Sequence, residues 1–217
     1  GCTADQHREV TVLLPEDIAS LEQKCTDATR LSSDETGGVS SSVDRMCSFA
    51  VENRDSYAMA EQMVHTGQGG MEPLVLNFAN PFQPGGGVWR GANAQEEDLC
   101  RKSSLLLSLE SDRAQAYYQY NIRRQSYLSS DAMLLSPHVE VFRDHENALL
   151  DQPFIVAVLT CAAPIHDGKP PAMFEDEYEA LLYQRICSML VVAACYGYRD
   201  LVLGAWGCGA FGNDAQM

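Results

Sequence analysis

The sequence predicts one α/β domain of three layers, with helices on both faces of a mixed, mostly parallel central sheet. Three observations carry that expectation. Apolar runs of strand length, bounded by turn formers, recur at 73–79, 153–162 and 201–205. Between the last two lies a long segment, 175–196, in which Leu181, Leu182, Ile186, Met189, Leu190 and Ala193 recur at helical spacing. Strand, helix and strand in that order imply a crossover between parallel strands. The third observation is size: 217 residues, 46% hydrophobic and 21% charged, suit one sizeable globular domain or at most two small ones.

The elements follow in order. Residues 10–13 read as a short strand, and Pro15-Glu16-Asp17 opens a helix with proline in its first turn and acids at the positive dipole end. Ile18, Leu21 and Cys25 give that helix one apolar stripe. From Leu31 to Val43 the chain turns to Ser, Gly, Asp and Thr, which predicts an exposed loop. A second helix is expected from Ser56 to His65, closed by Gly67. The strand at 73–79 then leads into Asn80-Pro81-Phe82-Gln83-Pro84-Gly85-Gly86-Gly87, a loop. A helix starts near Gln95 and carries Leu99, Leu105, Leu106 and Leu109 inward. Val139 to Phe142 alternates like a half-buried strand, and Pro153 to Ala162 reads as a strand covered on both faces. After the long helix, Gly197 suits a C-terminal cap and Leu201 to Ala205 forms the last strand.

Composition excludes some functions. A net charge of −15, from 15 basic against 30 acidic residues, leaves no positive face for gripping DNA along its backbone. An anionic ligand must be held locally, by backbone N–H groups, helix N-termini or a few placed side chains. No apolar run approaches the ~18 residues of a membrane span, and the first residues carry no signal segment. Residue 1 is not Met, so the natural chain is expected to start earlier. The eight cysteines form no Cys-x-x-Cys pair, and Cys161 and Cys195 follow apolar stretches. They read as reduced, buried thiols of an intracellular, cytoplasmic protein, with a nuclear location open to a eukaryotic one.

Two glycine loops follow buried strands, where open α/β sheets bind ligands. Gly85-Gly86-Gly87 permits positive φ and close approach of the backbone to a ligand, although a tight structural turn needs the same residues. Gly207-Cys208-Gly209-Ala210-Phe211-Gly212 has the spacing that wraps a pyrophosphate in backbone amides. Seven residues after the first glycine run comes Gln95-Glu96-Glu97. Adjacent residues at a helix start point about 100° apart, so the two glutamates cannot share one role. Helix-dipole chemistry alone would also favour acids there.

Together these motifs resemble the poly(ADP-ribose) glycohydrolases, whose signature is three glycines, six to eight residues, then Gln-Glu-Glu. Asn77-Phe78-Ala79-Asn80, the 207–212 loop and Val139 to Asp144 are similar to the compact bacterial and fungal members. The resemblance implies a macrodomain-like core at 70–217, preceded by an N-terminal helical extension, 1–69, packed on it. It also implies hydrolysis of ribose–ribose O-glycosidic bonds in poly(ADP-ribose), working from chain ends. Carried over by position, Glu97 is the general acid and base, and Glu96 holds the ribose hydroxyls. Asn80, Gln95, Gly85, Gly86 and Gly87 would line the ribose site. Gly207, Gly209, Ala210 and Phe211 would cradle the diphosphate. No metal and no cofactor are implied. The partners are ADP-ribose, its polymer and ADP-ribosylated proteins, and the protein is expected to act as a monomer. Phe82, Trp89 and Trp206 are candidates for stacking on adenine. The resemblance implies at least one more helix and strand beyond residue 217, so either the natural chain is longer or that part is missing here. Two other readings share these motifs: a module that binds ADP-ribose without cleaving it, and a hydrolase of the bond between ADP-ribose and a protein side chain.

Overall fold

The computed structural model describes residues 3–34, 47–67, 71–126, 128–166 and 175–216. Among these described residues, five strands form one sheet: β1 (Thr11–Leu13), β2 (Leu74–Phe78), β3 (Met133–Arg143), β4 (Leu149–Cys161) and β5 (Leu201–Val202), in the order β1-β3-β4-β2-β5. β2 runs parallel to β4 and β5, whereas β3 is antiparallel to β1 and β4. Four strands therefore share a direction and only β3 opposes them, so the sheet is mixed and mostly parallel, as the sequence predicts.

Side chains alternate across the strands and feed two cores. Leu74, Leu76 and Leu159 face α1 (Pro15–Asp34) and α6 (Glu175–Cys195), where they meet Ile18, Met189 and Val192. Val75, Val156 and Val158 face the opposite layer of α2 (Ser56–Thr66), α3 (Gln95–Lys102), α4 (Leu105–Leu109) and α5 (Gln115–Arg124). Burial of each such side chain contributes about 1.5–3 kcal/mol. Because both faces of β2 and β4 are covered, their sequences read as unbroken apolar runs.

Several expectations change. The single helix from Gln95 to Leu109 is two, because Ser103 is extended and forms a bridge with Val141. The Ser103 hydroxyl donates to the Leu99 carbonyl at 2.8 Å and accepts the Leu105 N–H at 3.1 Å, ending one helix and starting the next. On α6, Ile186 and Leu190 are exposed, while Arg185, Ser188 and Val192 turn inward. Arg185 sets that rotation: its guanidinium donates to Asp131 Oδ1 at 2.9 Å and to the carbonyls of Leu128 and Ala162 at 3.0 and 3.1 Å. The 176–195 stretch of α6 is long and apolar enough to cross a membrane by length and composition, yet its inner face packs on the sheet.

β5 stops after two residues, and a Cβ on Gly204 would come 2.8 Å from the Phe78 ring. α1 continues to Asp34, past the predicted loop start at Leu31; positions 35–43 lie outside the described residues. Cys161 is buried, but Cys195 is exposed, with its Sγ 3.0 Å from Cys25 Sγ.

The helix that matters most for the site, α3, is clipped to α2. Asp55 caps α2 by accepting the Ala58 N–H at 2.7 Å, and its other oxygen accepts from Lys102 Nζ at 3.2 Å. Lys102 also donates to Asp98 at 2.7 Å. Burial works against the charge on Lys102, but the bonds to Asp98 and Asp55 more than offset it and raise its pKa.

Candidate active site

The first turn of α3 stands at the carboxyl end of β2, and each residue of Gln95-Glu96-Glu97 points to a different partner. Gln95 does not face the cleft. Its Oε1 accepts the Phe78 N–H at 2.8 Å and its Nε2 donates to the Leu76 carbonyl at 2.8 Å. Residues 74, 76 and 78 turn their main-chain groups toward β5, but β5 pairs only with Leu74 and Val75. The Gln95 amide thus supplies the hydrogen bonds that the short strand leaves unmade. Gln95, expected among the substrate-binding residues, here uses its amide to hold the helix to the sheet.

Glu96 is buried, and both its oxygens accept from the end of β2. Oε2 takes the Asn80 N–H at 2.7 Å, and Oε1 takes Asn77 Nδ2 at 3.3 Å. Asn77 donates as well to Thr160 Oγ1 at 3.1 Å, so strand β4 joins the arrangement. Burial pushes the Glu96 carboxyl from an ordinary 4.5 up to about 8, against the lowering effect of its hydrogen bonds to Asn80 and Asn77; the neighbouring Glu97 charge adds to the rise. Asn80 Oδ1 accepts from the Phe82 and Gln83 N–H groups at 2.9 and 3.0 Å, shaping the loop that follows.

Glu97 is buried too, but its partners come from the loop. Oε1 accepts the Gly87 N–H at 2.8 Å, and Oε2 reaches back to the Ala94 N–H at 3.0 Å, half of a capping box. Gly85 and Gly86 have φ of +64° and +58°. This left-handed pair lays the backbone directly on the carboxylates: a Cβ on Gly86 would lie 3.0 Å from Glu96 Oε2 and inside contact with Glu97 Oε1. Two carboxyl groups therefore meet over one glycine, screened from water, which suits proton transfer.

The second loop is held from behind by Asn213, a residue that sequence reasoning missed. Asn213 Nδ2 donates to the carbonyls of Pro164 and Gly207 at 2.9 and 3.0 Å, and its Oδ1 accepts from Tyr178 of α6. The N–H groups of Gly209, Ala210 and Phe211 make no hydrogen bond among the described residues, and Gly209 and Ala210 are exposed. Three consecutive free N–H groups suit an anion. Phe211 is partly buried against the α6-side core. Trp206 is buried, donating its indole N–H to the Cys161 carbonyl at 2.9 Å, so it is excluded as a stacking platform; Phe82 and Trp89 are exposed.

The raised Glu96 value makes a pH prediction. Between about pH 5 and 8 the folded protein keeps a proton on Glu96 that the unfolded chain has released. The corresponding stability is full below the ordinary carboxyl range and is lost as pH rises through about 8. The thermal midpoint of the ligand-free protein should fall by several degrees over that window, and Glu96→Gln should flatten the slope. An unchanged slope in the variant, followed by scanning calorimetry, would exclude Glu96 as its source.

The family described as microbial-type PARG, catalytic domain, matches residues 7–144. Among solved structures, the chain is similar to the poly(ADP-ribose) glycohydrolase of Thermomonospora curvata bound to the inhibitor ADP-HPD. The TM-score is 0.81 at 34% identity, over 97% of this chain and 70% of that one. The enzyme of Deinococcus radiodurans in complex with ADP-ribose aligns with a TM-score of 0.78 at 33% identity, over 97% of this chain and 78% of that one. No curated protein matches the chain.

Proposed function

Since this chain belongs to the microbial-type poly(ADP-ribose) glycohydrolases and hydrolyses poly(ADP-ribose), we propose that Glu97 carries the proton of the reaction while Glu96 holds the sugar. The observation behind this division is the pair of buried carboxyls meeting over Gly86, each with its own set of donors. In the polymer, the anomeric carbon of one unit's distal ribose is bonded to the 2′-oxygen of the next unit's adenosine. The buried pair holds one proton, on Glu96 in the ligand-free protein; in this reading it passes to Glu97, which gives it to that oxygen as the carbon–oxygen bond breaks and positive charge gathers on the ribose. A water then attacks the anomeric carbon and returns its proton to Glu97, which restores the enzyme. A positioned acid of this kind contributes about 10²–10⁴-fold.

In this reading Glu96, which Asn77 and Asn80 hold in position, bonds the ribose hydroxyls. The free N–H groups of Gly209, Ala210 and Phe211 take the diphosphate, which suits a chain of net charge −15 with no broad positive face. Cleavage from chain ends, monomeric action and ADP-ribosylated proteins as intracellular carriers of the polymer belong to the same reading. A gel of automodified polymerase tests it: loss of polymer to free ADP-ribose is expected, with one protein-bound unit retained. Removal of that last unit as well would favour a protein–ADP-ribose hydrolase, and binding without cleavage would favour a reader module.

A further inference from the structure

We propose that Trp89 and Arg90 form a subsite for the unit on the departing side of the cleaved bond, adenine stacking on Trp89 and its diphosphate facing Arg90; this rests on the polymer-cleaving reading above. Both residues lie in a short 3₁₀ turn, Val88–Arg90, directly after Gly87, whose N–H holds Glu97. Trp89 is 74% exposed, yet it is not loose: its indole N–H donates to Glu110 Oε1 at 3.0 Å. An exposed indole fixed by its polar edge offers a ring face to a base at small conformational cost.

Arg90 is exposed, donates to Gln83 Oε1 at 3.1 Å, and makes no ion pair among the described residues. Its guanidinium and Glu97 Oε1 lie 3.9 and 3.6 Å from the same point, the place a Cβ on Gly87 would occupy. A cation without an ion pair among the described residues, in so acidic a chain, therefore shares the surroundings of Gly87 with the carboxyl that protonates the leaving oxygen. The chemistry of that oxygen supplies the ligand. It belongs to an adenosine ribose, so a base and a 5′-diphosphate arrive with it on the departing side.

The two halves of the substrate are separated by the fold. Residues 209–211 are braced on the α6 side through Asn213 and Tyr178, whereas Trp89 is braced toward α4 through Glu110. The subsite takes one unit only. Beyond Glu110 a cleft of about 800 Å³ carries Asp5, Glu9, Glu110 and Asp112 against Arg8 and Arg113, an acidic lining that disfavours a second diphosphate.

A linear fragment of two ADP-ribose units, titrated into a Glu97→Gln background that leaves it uncut, gives the test. It should bind about tenfold more tightly than ADP-ribose alone, and Trp89→Ala or Arg90→Gln should erase most of that ratio. In otherwise wild-type protein, each substitution should raise KM for polymer about tenfold with kcat little changed. A ratio near one at the outset, or one that survives both substitutions, overturns the subsite. So does an equal loss of affinity for ADP-ribose and fragment, which would mean that Trp89 merely shapes the glycine loop. If wild-type protein leaves polymer intact, the polymer-cleaving reading itself fails.

Discussion

Replacing Glu97 by Gln should lower polymer cleavage by about 10²–10⁴-fold while leaving ADP-ribose affinity within a few-fold of wild type. The substitution keeps the shape of the side chain and removes its proton chemistry. The introduced amide can still accept one hydrogen bond through its oxygen, but its NH₂ would face a donor, either the Gly87 N–H or the Ala94 N–H. Leaving one of these buried donors unsatisfied costs about 1–3 kcal/mol of stability, below the roughly 5–15 kcal/mol of a typical domain. The N–H groups proposed to take the diphosphate are those of residues 209–211, and Glu97 hydrogen-bonds instead to Gly87 and Ala94. Calorimetric titration with ADP-ribose and a time course of polymer release measure the two quantities separately. Turnover within twofold of wild type would remove Glu97 from the chemistry. Parallel loss of cleavage and ADP-ribose binding would mean that the substitution had collapsed the loop.

How much of this was legible beforehand depends on the kind of signal. The glutamates are legible by spacing: a Gln-Glu-Glu run at a helix start, separated by seven residues from a glycine run, is a pattern that one sequence can display. The aim of each side chain is another matter. Gln95 reads as part of the same motif, but its role follows from β5 being two residues long, which leaves Leu76 O and Phe78 N without a strand to bond. Just past that edge Gly204 packs against the Phe78 ring, so close that a Cβ there would come within 2.8 Å, a tertiary fact.

Asn77 and Thr160 left a fainter trace, as single polar residues near the carboxyl ends of two apolar runs, where a buried polar group needs a partner. Asn213 sits in a plain turn segment and gave no cue. On α6 the helical period was right and the face partly so: Leu182, Met189 and Ala193 pack on the sheet, but Ile186 and Leu190 do not, because Arg185 is buried through three hydrogen bonds that hydrophobicity cannot foresee. The helix Gln115–Arg124 escaped altogether: its buried residues are Tyr117, Tyr118 and Asn121, a stripe without aliphatic side chains.

Gly86→Ala should be nearly as damaging to activity as loss of the acid, and for a geometric reason. The added Cβ would lie 3.0 Å from Glu96 Oε2, inside contact with Glu97 Oε1, and 3.3 Å from Glu97 Cδ. Its φ of +58° is also one that a residue with a Cβ resists, at about 1–2 kcal/mol. Strain and clash can be told apart within this loop. Gly91 has φ of +74°, and nothing lies within 4 Å of its would-be Cβ. Gly91→Ala therefore carries the backbone strain alone and should lower stability by about 1 kcal/mol with kcat on polymer unaltered. In Gly86→Ala the carboxyls must also move, and a displacement near 1 Å costs on the order of 10²-fold in rate. The two variants, compared by urea denaturation and by polymer release, should match in stability loss far better than in kcat. Equal retention of activity would mean that the carboxyls tolerate displacement and that the glycines serve only the turn. A selective collapse of kcat in Gly86→Ala ties the close approach of the loop to the catalytic pair.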